Sequence, residues 1–454
     1  MICDSLSTTL PAIPNLAFHL KSLHYLPADS YCLGFINCPP SEVSRAHDTP
    51  GMWAVRFVNK SRVNASRPGN VRKHFTSFSS SLPPTMGYLL VLAVVVLAAG
   101  VGTLYQSTKK SSRKGLAREH SVRSQDIVGS LGNLDHAPAR RQVRSLFQAA
   151  QQSLDHPLFK ESLDGVEAEE FYQINSRGIE IFTKSWLPAK EKIKAIVFIC
   201  HGYGDTCTFF LEGFSRILAK AGYAVFGMDY PGCGLSAGLH GYIPDFNRLV
   251  DDVIENYSSI KARPEYAKLP CFLFGQSMGG AVALKMHLKQ ETAWNGAILV
   301  APMCKMAAEM YPPWILVLIL KAVCFIFPRA KLVPNKNLAD LAFRDVKKRI
   351  QTAYNVTGYK DPPRLRTALE MLRATDEISS RLHEISLPLL ILHGACDVIT
   401  DPSVSKALYE QSRSLDKTLR IYDEAWHSLL DGEPDLMTFN VFTDIKYWLH
   451  SHSS

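Results

Sequence analysis

No two cysteines in this 454-residue chain stand two residues apart, and none of the ten pairs with histidine at a metal-ligating spacing. Zinc-ribbon, redox-dithiol and disulfide-scaffold readings lose their basis. The scattered thiols read as small buried hydrophobes of a reducing compartment, with Cys200 and Cys271 inside apolar runs. Charge is also sparse, at 20% against 46% hydrophobic residues. That balance is ordinary for a globular protein and excludes both wholesale disorder and a polytopic membrane protein. The formal charge is +8, yet residues 165–454 supply none of it, holding 32 basic and 32 acidic residues. The excess lies in residues 1–164, with 18 basic and 10 acidic. A basic face for nucleic acid on the C-terminal domain is therefore not expected. No internal repeat is evident.

Residues 1–85 lack hydrophobic periodicity and are rich in Ser, Pro and Asn. A stretch such as 77–84 (SFSSSLPP) holds too little apolar surface to fold alone. Two readings stay open: a transit peptide, which would direct the chain to a plastid, or a start of translation at Met86. Charge vanishes over 86–105 (MGYLLVLAVVVLAAGVGTLY). Such a run is long enough to cross roughly 30 Å of hydrocarbon as a helix. A soluble helix there would have to bury every face, so a transmembrane anchor is expected. Lys109, Lys110, Arg113, Lys114, Arg118 and Arg123 follow it. This bias places the C-terminal side in the cytosol, on an endomembrane. Residues 106–165 read as a basic linker. Within it, 139–154 reads as an amphipathic helix with Val143, Leu146, Phe147 and Leu154 near helical spacing.

From residue 166 to 454, short β-rich runs alternate with helical patterns: 195–200 (AIVFIC), 223–228 (YAVFGM), 271–274 (CFLF), 297–300 (AILV), 389–393 (LLILH) and 419–422 (LRIY). Continuous apolar strands separated by helices predict an α/β fold with a mostly parallel sheet covered on both faces. The interval from about 303 to 380 breaks that rhythm and reads as an inserted helical cap. Its run 314–327 (WILVLILKAVCFIF) is too short to span a bilayer and carries Lys321 at its middle. Two readings remain for it, a buried helix or a lid that touches acyl chains or a membrane.

Gly275-Gln276-Ser277-Met278-Gly279 fits G-x-S-x-G, with strand CFLF before it and a helical pattern after it. A nucleophile elbow requires that order, and its glycines, Gly275 and Gly279, relieve crowding at the turn that lifts the serine oxygen clear. Serine needs a base, and the base an orienting acid, in the order Ser, acid, His. Asp397 lies just beyond the run 389–393, and His427 just beyond 419–422. Open α/β sheets place their chemistry at such strand ends. Ser277, Asp397 and His427 are the expected nucleophile, acid and base, with Asp401 as alternative acid. His393 reads as a strand-end cap, and Asp423 and Asp431 as surface carboxylates. An oxyanion needs two N–H donors: Met278, after the nucleophile, and Tyr203 or a neighbour in the loop His201-Gly202-Tyr203-Gly204.

The stretches HGYGDTCTFF (201–210), MDYPGCGLSAGLHGYI (228–243), FLFGQSMGGAVALKMHLKQ (272–290), ILHGACDVITDPSVS (391–405) and AWHSLLDGEPD (425–435) closely resemble plant monoacylglycerol lipases, a group that includes caffeoylshikimate esterase and lysophospholipase-like enzymes. The resemblance covers about 165–450. It implies an α/β-hydrolase with a cap after the sixth strand, with Ser277, Asp397 and His427 as its triad and Tyr203 and Met278 as its oxyanion donors. No metal or cofactor is implied. Cys396, Trp426 and Cys233 depart from the family pattern and bear on substrate choice. His240 and Asp245 also fit an H-x-x-x-x-D acyltransferase pattern, though Pro244 argues for a loop. The expected activity is serine-dependent ester cleavage, first of monoacylglycerols. Caffeoyl shikimate or a lysophospholipid is the alternative substrate, and a non-catalytic receptor the alternative of another class.

Overall fold

A computed structural model describes residues 133–304, 314–333 and 338–453. The segment 1–85 and the uncharged run 86–105 lie outside the described residues. Among the described residues, no helix is long and apolar enough to cross a membrane.

Eight strands form one sheet: β1 (Val166–Ile174), β2 (Glu180–Pro188), β3 (Ala195–Cys200), β4 (Tyr223–Met228), β5 (Cys271–Gln276), β6 (Gly296–Val300), β7 (Leu389–Gly394) and β8 (Lys417–Tyr422). The order is β1-β2-β4-β3-β5-β6-β7-β8. β1 and β2 pair antiparallel, as do β2 and β4, and every other pair is parallel. The six strands expected from apolar runs are all present. The β1–β2 hairpin is additional. β1 reads VEAEEFYQI and shows water most of its length, and β2 buries the polar Thr183, Lys184 and Ser185. Neither carries the continuous apolar pattern of a two-sided strand.

The strands alternate between two cores. Ile196, Phe198 and Cys200 face one, packed under α4 (Phe246–Lys261), α5 (Met278–Lys289), α9 (Leu365–Ser380) and α10 (Pro402–Gln411). Ala195, Val197 and Ile199 face the other, under α3 (Phe210–Lys220) and α11 (Asp435–His452). A period of two on a strand covered on both faces gives this division.

Between β6 and β7 lie α6 (Trp314–Ile326), α7 (Leu338–Ala342), α8 (Val346–Gln351) and α9. The far end of α9 does not stand apart from the sheet, because its Ala374 and Ile378 join the core under α4 and α5. α6 rests on the start of α9 in a small cluster of Val323, Cys324 and Leu365, with Ile319, Leu320 and Leu369 packed against it. Much of its apolar surface nevertheless faces outward: Trp314 is 74% exposed and Phe325 90%.

Before the sheet come α1 (Ala137–Gln152) and α2 (Pro157–Lys160). The helix expected over 139–154 is present, but its buried face matches the expected one only at Val143. Leu146 is exposed, and the buried set is Ala137, Arg140, Val143 and Gln151. Arg140 is fully buried because carbonyl oxygens of Leu134, Gly234 and Ser236 accept its N–H groups at 2.8, 2.5 and 2.7 Å.

At the start of α2, buried His156 accepts the Leu158 N–H on Nδ1 at 3.1 Å, so Nε2 carries the proton that meets the Asp431 carbonyl at 3.1 Å. Burial pushes this imidazole down to about 4 from 6.5. The unfolded chain therefore binds the proton first, and the His156 contribution is lost as pH falls from about 6.5 toward 4. His156→Asn keeps an acceptor for Leu158 but does not titrate. The stability gap between wild type and this variant, from urea unfolding, is expected to narrow by about 2 kcal/mol between pH 7 and pH 5. An equal gap at both pH values would contradict this account.

Candidate active site

β5 ends at Gln276, and α5 starts at Met278. Ser277 joins them with φ 54° and ψ −119°, a strained conformation for a residue with a Cβ. It is locked in place through its backbone. Ser277 N–H donates to the Val300 carbonyl at 2.9 Å, and its own carbonyl accepts from Gly280 and Met303, both at 2.9 Å. Gly279 lies against the Cys200 carbonyl so closely that a Cβ there would overlap it, and a Cβ on Gly275 would sit 2.5 Å from the Gly279 carbonyl. These two glycines allow the helix to start hard against the strand ends.

The loop after β3 runs beside this turn. A Cβ on Gly202 would lie 3.6 Å from that of Ser277. The Tyr203 hydroxyl donates to the Gly241 carbonyl at 3.0 Å and fixes the loop to the segment 229–241. Neither the Tyr203 N–H nor the Met278 N–H has an acceptor among the described residues.

Asp397 follows β7, and His427 follows β8. His427 Nδ1 meets Asp397 Oδ2 at 2.7 Å. The other carboxylate oxygen accepts from the Ile399 N–H at 2.8 Å and the Thr400 N–H at 3.1 Å, and the Thr400 hydroxyl donates to Oδ2 at 2.8 Å. Burial alone would raise this carboxyl. The His427 charge and the hydrogen bonds of His393 and His427 overcome it and hold the group well below the usual carboxylate range. No hydrogen bond joins the Ser277 hydroxyl to His427. Contacts link the two ends of the site instead: Thr400 Oγ1 lies 3.1 Å from both His427 Nδ1 and the Ala301 carbonyl, two residues before Met303.

Several expectations are corrected. Asp401, the alternative acid, caps α10 by accepting the Ser403 N–H at 2.8 Å, so its carboxylate is engaged away from His427. His393 is no strand-end cap but a buried member of β7, with Nε2 3.1 Å from Asp397 Oδ2. Asp431 is not at the surface. Its Oδ1 is buried without a partner, and burial, with the Asp205 carboxyl adding to it, pushes the group well up. Asp423 is exposed, as expected. His240 and Asp245 serve structure. His240 is buried against the Thr357 carbonyl at 3.1 Å, while Asp245 caps α4 by accepting the Arg248 N–H at 3.1 Å. Thr400 is the site residue that sequence reasoning missed. A threonine three residues after an aspartate in a loop is the pattern of a side chain closing an Asx turn. Six of the seven described cysteines are buried, in line with their reading as small buried hydrophobes.

A family model described as "Serine aminopeptidase, S33" (Hydrolase_4) matches residues 191–435. Caffeoylshikimate esterase of Arabidopsis thaliana is 32% identical over 286 residues, 63% of this chain and 86% of its own length. Monoglyceride lipase of Homo sapiens is 29% identical over 287 residues, 62% of this chain and 90% of its own. Among solved structures, a soluble variant of monoglyceride lipase from Saccharomyces cerevisiae shares the fold with a TM-score of 0.56 at 22% identity, covering 65% of this chain and 98% of that one. The order of strands, the turn at Ser277 and these matches converge: the chain belongs to the Hydrolase_4 family and is a carboxylic ester hydrolase on the α/β-hydrolase fold.

Proposed function

We propose that this protein hydrolyses monoacylglycerols through an acyl-enzyme, with Ser277 as nucleophile, His427 as base and Asp397 as its orienting acid. The observation that carries the mechanism is the 2.7 Å bond from His427 Nδ1 to a carboxylate held ionised. It keeps the proton on Nδ1 and leaves Nε2 bare to take the Ser277 proton. The serine oxygen then adds to the acyl carbonyl, and the unpaired Tyr203 and Met278 N–H groups receive the oxyanion. His427 returns its proton to the leaving glycerol oxygen, and water repeats the sequence on the acyl-enzyme. Every step is a proton transfer or an acyl transfer between named groups.

The lipid preference rests on α6. A helix that leaves Trp314, Ile315, Leu318 and Phe325 in water would lower its free energy at a bilayer surface, where monoacylglycerols reside. The uncharged run 86–105 would hold the domain at that surface from the cytosolic side. A second reading, hydrolysis of an aromatic ester, is favoured by the relative at 32% identity.

Purified protein is tested on monoolein vesicles, lysophosphatidylcholine, caffeoyl shikimate and a water-soluble short-chain ester. Monoolein is expected to give the highest kcat/KM, by at least about tenfold. Glutamate at Trp314, Leu318 and Phe325 together is expected to lower the vesicle rate about tenfold relative to the soluble-ester rate. Preference for caffeoyl shikimate would replace the substrate assignment. A folded protein that turns over none of the four would point to a binding protein.

A further inference from the structure

His393 occupies the next-to-last position of β7 and has no exposed surface. Both ring nitrogens are engaged. Nε2 lies 3.0 Å from the Thr400 carbonyl and 3.1 Å from Asp397 Oδ2, and Nδ1 lies 2.7 Å from the Ser405 hydroxyl. A carbonyl oxygen can only accept, so Nε2 carries a hydrogen, and in the neutral ring Nδ1 is then bare. Ser405, fully buried on the first turn of α10, must then donate to Nδ1. The Thr400 carbonyl sets this tautomer, and the Ser405 hydroxyl satisfies the bare nitrogen.

The Asp397 carboxylate therefore sits between two imidazoles that share one oxygen, His427 Nδ1 at 2.7 Å and His393 Nε2 at 3.1 Å. The backbone N–H groups of Ile399 and Thr400 pin Oδ1. Oδ2 is the free end of the lever. Its direction decides whether the Nδ1–H of His427 finds its acceptor and whether the ring faces Ser277. Among the described residues, only His393 and Thr400 grip that end besides His427 itself. Thr400 is divided, because its single hydroxyl hydrogen also has the Ala301 carbonyl within 3.1 Å. The His393 hydrogen is also shared, with the Thr400 carbonyl, but its ring is held at Nδ1 by Ser405.

We propose that His393 is a positioning residue for the ester hydrolysis. Held in its Nε2–H tautomer by the Thr400 carbonyl and oriented by Ser405, it aims Asp397 Oδ2 at His427. The proposal rests on the reading of Ser277, Asp397 and His427 given above. It also makes the packing of α10 part of the catalytic apparatus, since Ser405 is the partner that orients the ring at Nδ1.

The test uses full-length protein in detergent, with a soluble short-chain ester for kcat and KM, a fluorophosphonate for active-site titration and labelling rate, and a thermal melt. His393→Ala is expected to lower kcat per titrated site by about 10- to 100-fold with KM within about twofold, the scale of a displaced catalytic group. His393→Gln can present an amide N–H to the same oxygen and is expected to restore most of that loss. Ser405→Ala is expected to fall between them. A merely structural role predicts that Ala and Gln both lower the melting temperature while kcat per titrated site stays at wild type, and that result overturns the proposal. Ser277→Ala separates the two levels. If it labels as fast as wild type, the underlying reading fails. If it is silent while His393→Ala keeps wild-type kcat, only the role of His393 falls.

Discussion

Asp397→Asn is expected to lower kcat on a soluble ester by about 10⁴-fold per folded molecule. The reason lies in the donors that surround the carboxylate. Oδ1 receives two backbone N–H groups, and Oδ2 receives His427, His393 and the Thr400 hydroxyl. An amide brings two hydrogens of its own into a site that already supplies five. If its NH₂ takes the Oδ2 position, it faces the proton on His427 Nδ1 and drives that proton to Nε2, where it blocks attack by Ser277. If its oxygen takes that position, the NH₂ confronts the Ile399 and Thr400 N–H groups. Neither orientation preserves both the tautomer and the turn. Stability also drops. The folded carboxyl is held below its unfolded value, so its contribution is fully present above about pH 4 and is lost only as pH falls through the folded value. At neutral pH the variant forfeits all of it. kcat is therefore normalised to the folded fraction from near-UV circular dichroism. Asp401→Asn is the control, expected to stay within about twofold because that carboxylate caps a helix. Loss of less than tenfold in Asp397→Asn, or an equal loss in Asp401→Asn, would remove Asp397 from its proposed role.

The placement of the chemistry at strand ends is legible in the sequence for a definite reason. Five of the six apolar runs are strands buried on both faces, β8 being only partly buried, and the apolar pattern of each stops a few residues before its site residue: Ser277, Asp397 or His427 for β5, β7 and β8. The run and its break locate the loop. What holds the site together is less legible. His393 belongs to the apolar run 389–393 and reads as that strand's end, because nothing local reveals that Asp397, four residues later, folds back onto it. Asp431 reads as a surface carboxylate from its polar neighbours, Gly432 and Glu433, and only the tertiary packing of the 427–434 loop buries it. The β1–β2 hairpin escapes for the opposite reason: buried Thr183, Lys184 and Ser185 are satisfied by partners distant in sequence, Lys184 by Glu170 and Thr183 by Asn256. Helix α1 shows the same limit, since one of its two fully buried side chains is an arginine, which periodicity counts as polar.

That arginine carries the second large expectation. Arg140→Ala is expected to destabilise the protein by about 3–5 kcal/mol, the range found when one partner of a buried charged network is removed. The guanidinium has no exposed surface and is bonded to carbonyl oxygens of Leu134, Gly234 and Ser236. Removing it leaves these acceptors unpaired in a space that an alanine does not fill, at about 1–3 kcal/mol for each buried group. The segment it grips is demanding. Gly232, Gly234, Gly238 and Gly241 all have positive φ, and buried Asp229 accepts the Leu235 and Cys207 N–H groups at 2.8 and 2.9 Å beside them. Its far end presents the Gly241 carbonyl to the Tyr203 hydroxyl, so α1, which precedes the family match at 191–435, reaches the loop beside Ser277 through this segment. Lysine is a poor substitute, because one ammonium on a flexible stem does not reproduce a planar fork aimed at several carbonyls. Arg140→Lys should therefore recover less than half of the loss. Arg141→Ala is the comparison. That side chain is about a quarter exposed, bonding the Leu235 carbonyl at 3.0 Å and Glu180 at 2.6 Å, and its removal should cost about 1 kcal/mol or less. Thermal melts should separate the two substitutions by roughly 10 °C. An Arg140→Ala melt within about 2 °C of wild type would mean that the 229–241 segment holds its shape without α1.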